Sequence, residues 1–235
     1  MESNDWLADF PPTHTTWLAT CLDDGGPDAM RAARVHLMER YRTPLVAYAT
    51  HSRISMLDEP DELVHGFFAA KVSEPRFLID WRASGMPLRR WMLNGLNFHA
   101  RSVARDRARD AARRERASPE STHARSIEAE RAFERAWAVA LIETACRAAH
   151  AAVTHAKRER AFDCFHRHFF DSVSYASLAV EHGVDETTIA SEVRLATRRV
   201  RAEAEAILRD EIGSADAQTI AGELARVREL TGWSV

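Results

Sequence analysis

Cysteine and histidine side chains occur at two places in the sequence where they could bind a metal ion. Cys146 and His150 are four residues apart and would share one face of a helix, and a second group has the pattern Cys164-x-His166-x-His168. Ligands on one helix need a spacing of three or four residues, because a spacing of two points the side chains to different sides. We therefore expect no metal site. No Ser–His–Asp or paired-carboxylate pattern stands out in the sequence either, so we do not expect an enzyme.

Residues 88–105 carry polar side chains whose types and spacing indicate nucleic-acid binding. One set of side chains recurs at helical spacing and is mostly apolar: Leu88, Trp91, Met92, Leu96, His99 and Val103. A second set recurs on another face and is polar: Arg90, Asn94, Asn97, Arg101 and Arg105. A helix that packs by its apolar stripe exposes the polar one. Arginine and asparagine bind both phosphates and base edges, so we expect this helix to contact DNA.

A helix-turn-helix pattern lies between residues 174 and 208. Ser174 is a good cap for a short first helix, Gly183 suits a left-handed turn, and Asp185 is a good cap for a second helix. The apolar spacing of the second helix predicts that it buries Ile189, Val193, Ala196 and Val200. Its outward face would carry hydroxyls and arginines that can reach base edges and phosphates in the major groove. They are Thr187, Ser191, Arg194 and Arg198.

The composition is typical of a folded helical protein. Of the 235 residues, 46% are hydrophobic, and only 9 are Gly and 8 are Pro. The net charge of −3 excludes a uniformly basic nucleic-acid binder, but arginines are dense between Arg101 and Arg116 and acidic residues are concentrated earlier. The three cysteines are widely spaced, and neither a signal peptide nor a membrane-spanning run is evident. We therefore expect a cytoplasmic protein.

These patterns predict an all-α fold in which a polar linker joins two helical domains. The expected segments are an irregular N-terminal extension at 1–27, a first domain at 28–108, the linker at 109–127, the helix-turn-helix domain at 128–212 and a C-terminal helical extension at 213–235. In the first domain, Pro44 is expected to kink or restart a helix, and Asp58 to cap a helix that starts near Pro60. Residues 80–87 are expected to form a loop.

The order of these motifs resembles the extracytoplasmic-function (ECF) sigma factors of bacterial RNA polymerase. DELVHGFF at 61–68 is similar to the family's region 2.2 motif, residues 88–105 are similar to its aromatic-rich region 2.3–2.4 helix, and residues 174–208 are similar to its region 4.2 helix-turn-helix. A planctomycete and myxobacterial subgroup is more similar still, because it shares four further features in the same order. These are an F-P-x-T…W segment (Phe10–Thr13 and Trp17), a D-L-x-x-G-F-F motif in which Glu62 stands where the subgroup usually has Asp (Glu62–Phe68), F-x-x-x-W-A (Phe133–Ala138) and a C-terminal helix (214–231).

The resemblance implies a sigma factor that directs core RNA polymerase to −35 and −10 promoter elements and aids promoter melting, without enzymatic activity or a cofactor. The implied partners are core polymerase, promoter DNA and an anti-sigma factor or another regulator. The implied polymerase-binding residues are Asp58, Asp61, Glu62, Leu63, Phe67 and Phe68. The −10 residues, with segment 80–86 holding a flipped base, would be Trp81, Arg82, Ser84, Arg89, Arg90, Asn94, Asn97 and Arg101. The −35 residues would be Thr187, Thr188, Ser191, Arg194 and Arg198.

The second helix of the helix-turn-helix departs from the family pattern, because Glu192 and Leu195 stand where more basic residues are usual. This predicts weaker binding to a −35 element. Two other classes of protein stay open: a helix-turn-helix regulator that acts without polymerase, and an adaptor that binds only proteins. A regulator of the first class has no need for the DELVHGFF motif together with the polar-striped helix at 88–105, so these two features favour the sigma-factor hypothesis over it. A pull-down against core polymerase separates all three classes.

Overall fold

The computed structural model describes residues 14–24, 26–112, 124–156, 158–212 and 216–233, and every regular element in these ranges is helical. The predicted all-α class is confirmed for this part of the chain. The helices are α1 His14–Asp24, α2 Pro27–His51, α3 Pro60–Phe67, α4 Pro75–Ser84, α5 Leu88–Ala112, α6 Ala124–His155, α7 Glu159–Phe169, α8 Tyr175–His182, α9 Glu186–Ile212 and α10 Ala217–Thr231. A 3₁₀ turn covers Arg53–Met56 and a π-helical turn covers Phe68–Val72. Within the described ranges, no helix has the length and apolar character that crossing a bilayer requires.

The chain divides into two compact units. The first unit comprises Met1–Ala138 together with Asp210–Ser214, and the second comprises Val139–Arg209 together with Ala215–Val235. Both ends of the predicted linker at 109–127 are helical, because α5 extends through Ala112 and α6 begins at Ala124. Residues 113–123 lie outside the described part of the chain.

Three expectations about local structure in the first unit are corrected. Residues 14–24 form α1, although the prediction treated 1–27 as irregular. Helix α2 continues through Pro44, which excludes the restart that was one of the two expected effects of this proline, and the proline ring itself is buried. Residues 80–84 belong to α4, so the loop is limited to the turn after Gly85, whose φ of 65° ends the helix in the left-handed conformation.

The core of the first unit forms where α2 packs against α1, α3 and α5. Its largest fully buried side chains in these helices are Leu18, Leu37, Tyr41, Leu45, Phe67, Met92 and Leu96. Removing one such side chain from water contributes about 1.5–3 kcal/mol, so the contacts hold α5 firmly by its apolar face. The same packing determines which face of α5 is left to solvent.

A buried acidic residue from the end of α9 completes the first unit. Glu211 Oε1 accepts hydrogen bonds from Arg40 Nε at 2.8 Å, from Tyr41 Oη at 3.0 Å and from Trp137 Nε1 at 3.4 Å. Burial lowers the pKa of Arg40, but the charges and hydrogen bonds of Glu211 and Tyr41 together outweigh that effect, so the pKa of Arg40 is raised. Burial and Glu211 together hold the pKa of Tyr41 well above its ordinary value. A buried charge needs such a partner, so the first unit depends on this residue.

The second unit contains the helix-turn-helix and the C-terminal helix. Its core cluster joins α7, α8 and α9 through Cys164, Leu178, Ala179, Ile189 and Val193. Helix α10 confirms the predicted amphipathic helix near 214–231, since its buried residues Ile220, Leu224 and Val227 share one face. The carboxylate of Asp216 caps α10 by accepting hydrogen bonds from the backbone N–H groups of Gln218 and Thr219.

Candidate nucleic-acid interface

The solvent-facing side of α5 carries an aromatic ring among its polar side chains. We define the α5 stripe as Arg90, Asn94, Phe98, Arg101 and Arg105, which follow one another at helical spacings of three or four residues. All five are exposed except Asn94, which is half-buried. The opposite face of the helix buries Leu88, Met92, Leu93, Leu96 and Ala100. The predicted division of this helix into an apolar and a polar face is therefore confirmed.

Phe98 is the member of the stripe that the sequence analysis missed. Its side chain is 66% exposed, and the guanidinium carbon of Arg101 lies 5.7 Å from the centre of its ring. An exposed aromatic ring beside cations is a platform on which an unpaired base can stack. The signal was present in the sequence, because Phe98 lies four residues after Asn94 and three before Arg101.

Asn97 lies off the α5 stripe. Its Oδ1 accepts a hydrogen bond from Tyr48 Oη at 3.0 Å, and its Nδ2 donates one to the Leu93 carbonyl at 3.1 Å. Both ends of the amide are thus engaged inside the first unit. The side chain ties α5 to α2, so a contact between Asn97 and DNA, which stays a prediction, would have to compete with these hydrogen bonds.

The first turns of α6 contact the cations at the start of α5. The guanidinium carbon of Arg89 lies 4.5 Å from the centre of the Trp137 ring, which is itself 1% exposed. Arg90 forms an ion pair with Glu130 at 3.8 Å. A ligand that binds these two arginines therefore has to compete with contacts that already exist within the unit.

The segment predicted to hold a flipped base is stabilised by its own hydrogen bonds. Trp81 is buried, and its Nε1 donates to the Met86 carbonyl at 2.9 Å. Ser84 Oγ donates to the Trp81 carbonyl at 2.6 Å and accepts from the Met86 backbone N–H at 3.1 Å. Arg82 is paired with Asp23 at 2.6 Å, which raises the pKa of the guanidinium. Trp81 is thus part of the core, and Ser84 organises the turn.

The predicted polymerase-binding residues separate into two groups. Leu63, Phe67 and Phe68 are buried, so they position α3 and do not form its surface. The predicted cap is also corrected, because the N-cap of α3 is Glu59 and makes no side-chain cap bond. The other three predicted residues, Asp58, Asp61 and Glu62, are exposed.

Two of the exposed acidic residues near the start of α3 form ion pairs. Asp58 binds Arg107 at 2.6 Å, and Asp61 binds Arg42 at 2.6 Å. Among the described residues, Glu62 has no partner within ion-pair distance and is exposed. Glu62 is therefore the acidic group at the positive end of this helix that is ready to meet a basic partner.

The helix-turn-helix has the predicted local geometry. Ser174 Oγ caps α8 by accepting from the Ser177 backbone N–H at 3.1 Å, and Gly183 has a φ of 66°. Asp185 accepts from the Thr188 backbone N–H at 2.7 Å and so caps α9. The hydroxyls of Thr187 and Thr188 also donate to this carboxylate, which lowers the pKa of Asp185. The two predicted caps and the glycine turn are confirmed.

The outward face of α9 is exposed at Thr187, Ser191, Arg194 and Arg198, as predicted from the spacing. We call these four residues the α9 face. In the described part of the chain, neither Arg194 nor Arg198 has a carboxylate within ion-pair distance. Glu192 points away from this face, because Arg160 holds its two oxygens at 2.7 and 2.8 Å. The acidic residue that departs from the family pattern is therefore neutralised inside the second unit.

The histidines of the two cysteine–histidine patterns identified in the sequence have aromatic or backbone partners. His166 stacks on Phe170 with ring centres 5.0 Å apart, and His168 Nδ1 lies 2.9 Å from the Val173 carbonyl. His150 packs against Phe162 at 4.7 Å. A different group comes together in the described residues, since one ligand atom from each of Asp163, Cys164 and His182 lies within 4.8 Å of the other two.

The chain has no match among protein-family models, and no curated protein or solved structure shows significant similarity to it.

Proposed function

We propose that this protein is a sigma factor that gives RNA polymerase its promoter specificity. The observation that carries the proposal is the α5 stripe, in which the exposed ring of Phe98 lies among arginines and Asn94. Promoter opening requires a protein surface that binds unstacked bases better than duplex DNA. An exposed aromatic side chain flanked by cations meets that requirement, because it stacks on any base while the arginines hold phosphates.

The helix-turn-helix supports the same proposal but is less specific. Its α9 face offers hydroxyls at Thr187 and Ser191, and guanidinium groups at Arg194 and Arg198 that have no carboxylate partner in the described part of the chain. Such a face fits the major groove of duplex DNA and would bind the −35 element. Many DNA-binding proteins have this motif, however, so the α9 face alone supports only DNA binding.

The acidic start of α3 supplies the third element of the proposal, a contact with polymerase. Glu62 is exposed and has no ion-pair partner in the described residues, while Leu63 and Phe67 anchor the helix beneath it. A charged side chain on a rigid helix can bind a basic surface with little loss of conformational entropy. Polymerase performs the chemistry, and this chain would contribute only differential binding.

Run-off transcription with core RNA polymerase on a library of genomic promoters tests the proposal. We expect transcripts that start at discrete positions only when the full chain is added, and we expect Glu62→Lys to lower the affinity for core. A matched control is Glu59→Lys, which changes an exposed acidic residue in the same turn outside the predicted contact set. Failure of the wild-type chain to bind core or to start any transcript would contradict the proposal.

The alternative function is a DNA-binding regulator that acts without core polymerase. One observation favours it: the arginines of the α9 face have no carboxylate partner among the described residues, whereas Arg89 and Arg90 are engaged by α6. A regulator of this kind would bind a specific duplex tightly by itself and ignore core polymerase. A sigma factor would bind core and bind duplex DNA poorly alone, so measuring both affinities with the same preparation separates the two functions.

A further inference from the structure

Three side chains that can coordinate a metal ion meet where the end of α8 approaches α7. The Nε2 atom of His182 lies 3.5 Å from Oδ2 of Asp163. The sulfur of Cys164 lies within 4.8 Å of both ligand atoms. Nitrogen and oxygen ligands of one tetrahedral zinc ion are about 3.4 Å apart, so the imidazole and carboxylate already have the required separation. The sulfur, which lies no more than 4.8 Å from either atom, would have to approach them by at most about 1 Å.

The imidazole of His182 has a buried nitrogen that its surroundings leave unsatisfied. No hydrogen-bond partner for Nε2 exists among the described residues, although the atom is shielded from solvent. Buried polar atoms in folded proteins nearly always have a partner. Oδ2 of Asp163 lies 3.5 Å from this nitrogen, which is longer than an ordinary N–H···O hydrogen bond. A metal ion between these side chains would satisfy the nitrogen.

The simplest alternative explanation concerns Cys164 alone. Its side chain is fully buried and packs with Leu178 and Ile189 in the core of the second unit, where a cysteine acts as a small apolar residue. That explanation accounts for the sulfur, but it leaves unexplained why a carboxylate and a buried imidazole nitrogen lie beside it. A metal site accounts for all three side chains together.

The charges around the three side chains are balanced. Arg160 and Arg167 lie about one turn on either side along α7, and cations there would repel a metal ion. Each is neutralised, because Arg160 binds Glu192 at 2.7 Å and Arg167 binds Glu181 at 2.6 Å. The local field therefore does not oppose a divalent cation.

We propose that Asp163, Cys164 and His182 form a binding site for a zinc-class transition-metal ion. One thiolate, one imidazole and one carboxylate are the donors that Zn²⁺ accepts, whereas Mg²⁺ and Ca²⁺ select oxygen donors. On binding, the Cys164 thiol gives its proton to solvent and its sulfur bonds the metal, and water takes the fourth position. The ion would fasten the last turn of α8 to α7 and so stabilise the helix-turn-helix, whether or not the chain binds polymerase.

Titration of the reduced, metal-free full chain with Co²⁺ tests this site. We expect one equivalent of Co²⁺ to produce a thiolate-to-cobalt charge-transfer band and the visible bands of a tetrahedral ion, and we expect Zn²⁺ to remove both. Zn²⁺ should also raise the thermal unfolding temperature, because it binds the folded chain preferentially. If the wild-type chain develops no thiolate band, the site does not exist.

Variants identify the ligands. Cys164→Ser should abolish the thiolate band. The control is Cys146→Ser, which changes the cysteine four residues before His150 on α6 and should leave the band unchanged. His182→Gln keeps the buried sulfur in the core and should lower Co²⁺ affinity by at least about tenfold, since even an outer hydrogen-bond partner of a ligand contributes about 10–100-fold. Circular dichroism checks that each variant is folded. A band that survives in Cys164→Ser, or full affinity in folded His182→Gln, would overturn the assignment.

Discussion

The α5 stripe in the first unit and the α9 face in the second are both exposed helical surfaces with arginines. They differ in how many of the arginines on or beside them already have partners within the chain. At the start of α5, Arg89 lies over Trp137 and Arg90 is paired with Glu130. On α9, Arg194 and Arg198 have no such partners among the described residues. Phe98 adds an aromatic ring to the α5 stripe, while the α9 face has only short hydroxyls between its arginines.

Under the proposed function, this difference would give the two surfaces different kinds of nucleic-acid binding. The α9 face is suited to duplex DNA, where guanidinium and hydroxyl groups reach bases and phosphates in the major groove. The α5 stripe offers stacking to unpaired bases, but part of its positive charge is held by α6 in the free chain. We infer that the α9 face can bind without rearrangement, and that the start of α5 binds more strongly once its internal contacts are displaced.

The largest effect is expected where α9 ends in the first unit. Glu211→Gln leaves the charge of Arg40 buried without its partner, and breaking such a pair costs about 3–5 kcal/mol. Urea denaturation of the full chain should show this loss in the unfolding transition of the first unit. Glu205→Gln is the matched control on the same helix, because Glu205 forms a surface pair with Arg201 and should contribute less than about 0.5 kcal/mol. Equal free energies of unfolding for the two variants would contradict a stabilising role for Glu211.

The position of the α5 stripe depends on a glycine beneath it. A Cβ on Gly95 would lie 2.9 Å from a ring carbon of Phe67 and 3.0 Å from one of Phe77. Gly95→Ala should therefore destabilise the first unit by about 1–3 kcal/mol through overpacking. Gly222→Ala on α10 provides the contrast, since nothing lies within 4 Å of its added methyl group and the variant should gain about 0.4–1 kcal/mol. Unfolding midpoints measure both effects, and a stabilised Gly95→Ala chain would show that α5 is not packed as described.

Arg194→Ala tests whether the α9 face distinguishes sequences. If Arg194 binds a base, the variant should lose about 1–3 kcal/mol of affinity for its preferred duplex and little for other duplexes. An equal loss on every sequence would show that Arg194 only holds phosphate. The control is Arg209→Ala, an exposed arginine about 16 Å along the same helix from Arg198. Fluorescence anisotropy with labelled duplexes gives the affinities.

The smallest effect is expected from releasing Arg90. Glu130→Gln removes the ion pair, and exposed pairs contribute about 0.2–1 kcal/mol, so affinity for single-stranded DNA should rise by up to about fivefold. Glu128→Gln is the control, because this exposed residue has no partner in the described part of the chain. Identical affinities for the two variants at low salt would mean that the Glu130 contact does not restrain the α5 stripe.

Local features of this fold were predictable from the sequence, and distant ones were not. Ser174, Gly183 and Asp185 act on residues within one turn, so their types alone indicated the helix-turn-helix. The two faces of α5 followed in the same way from residue spacing. Glu211, in contrast, meets Arg40 across 171 positions, and no periodic pattern connects two such residues.

The contacts at the candidate sites that the sequence did not indicate have the same physical origin. Asn97 matched the spacing of an exposed polar residue, but the hydroxyl of Tyr48 on α2 turned its amide inward. Asp163, Cys164 and His182 come together only because the connection between α7 and α8 brings the end of α8 back to α7. Helical spacing argued against His166 and His168 as partners of Cys164, and it gave no information about a ligand on another helix.

Open-complex formation by core polymerase with the Phe98→Ala chain tests the central claim most directly. Permanganate reactivity of unpaired thymines should report opening with the wild-type chain and a loss of about 5–150-fold with Phe98→Ala, since stacking contributes about 1–3 kcal/mol per base. Ile79→Ala, which removes another exposed apolar side chain of the first unit, should open promoters normally. Both variants should bind core as tightly as the wild-type chain. Unchanged opening with Phe98→Ala, or no opening with the wild-type chain, would contradict the account.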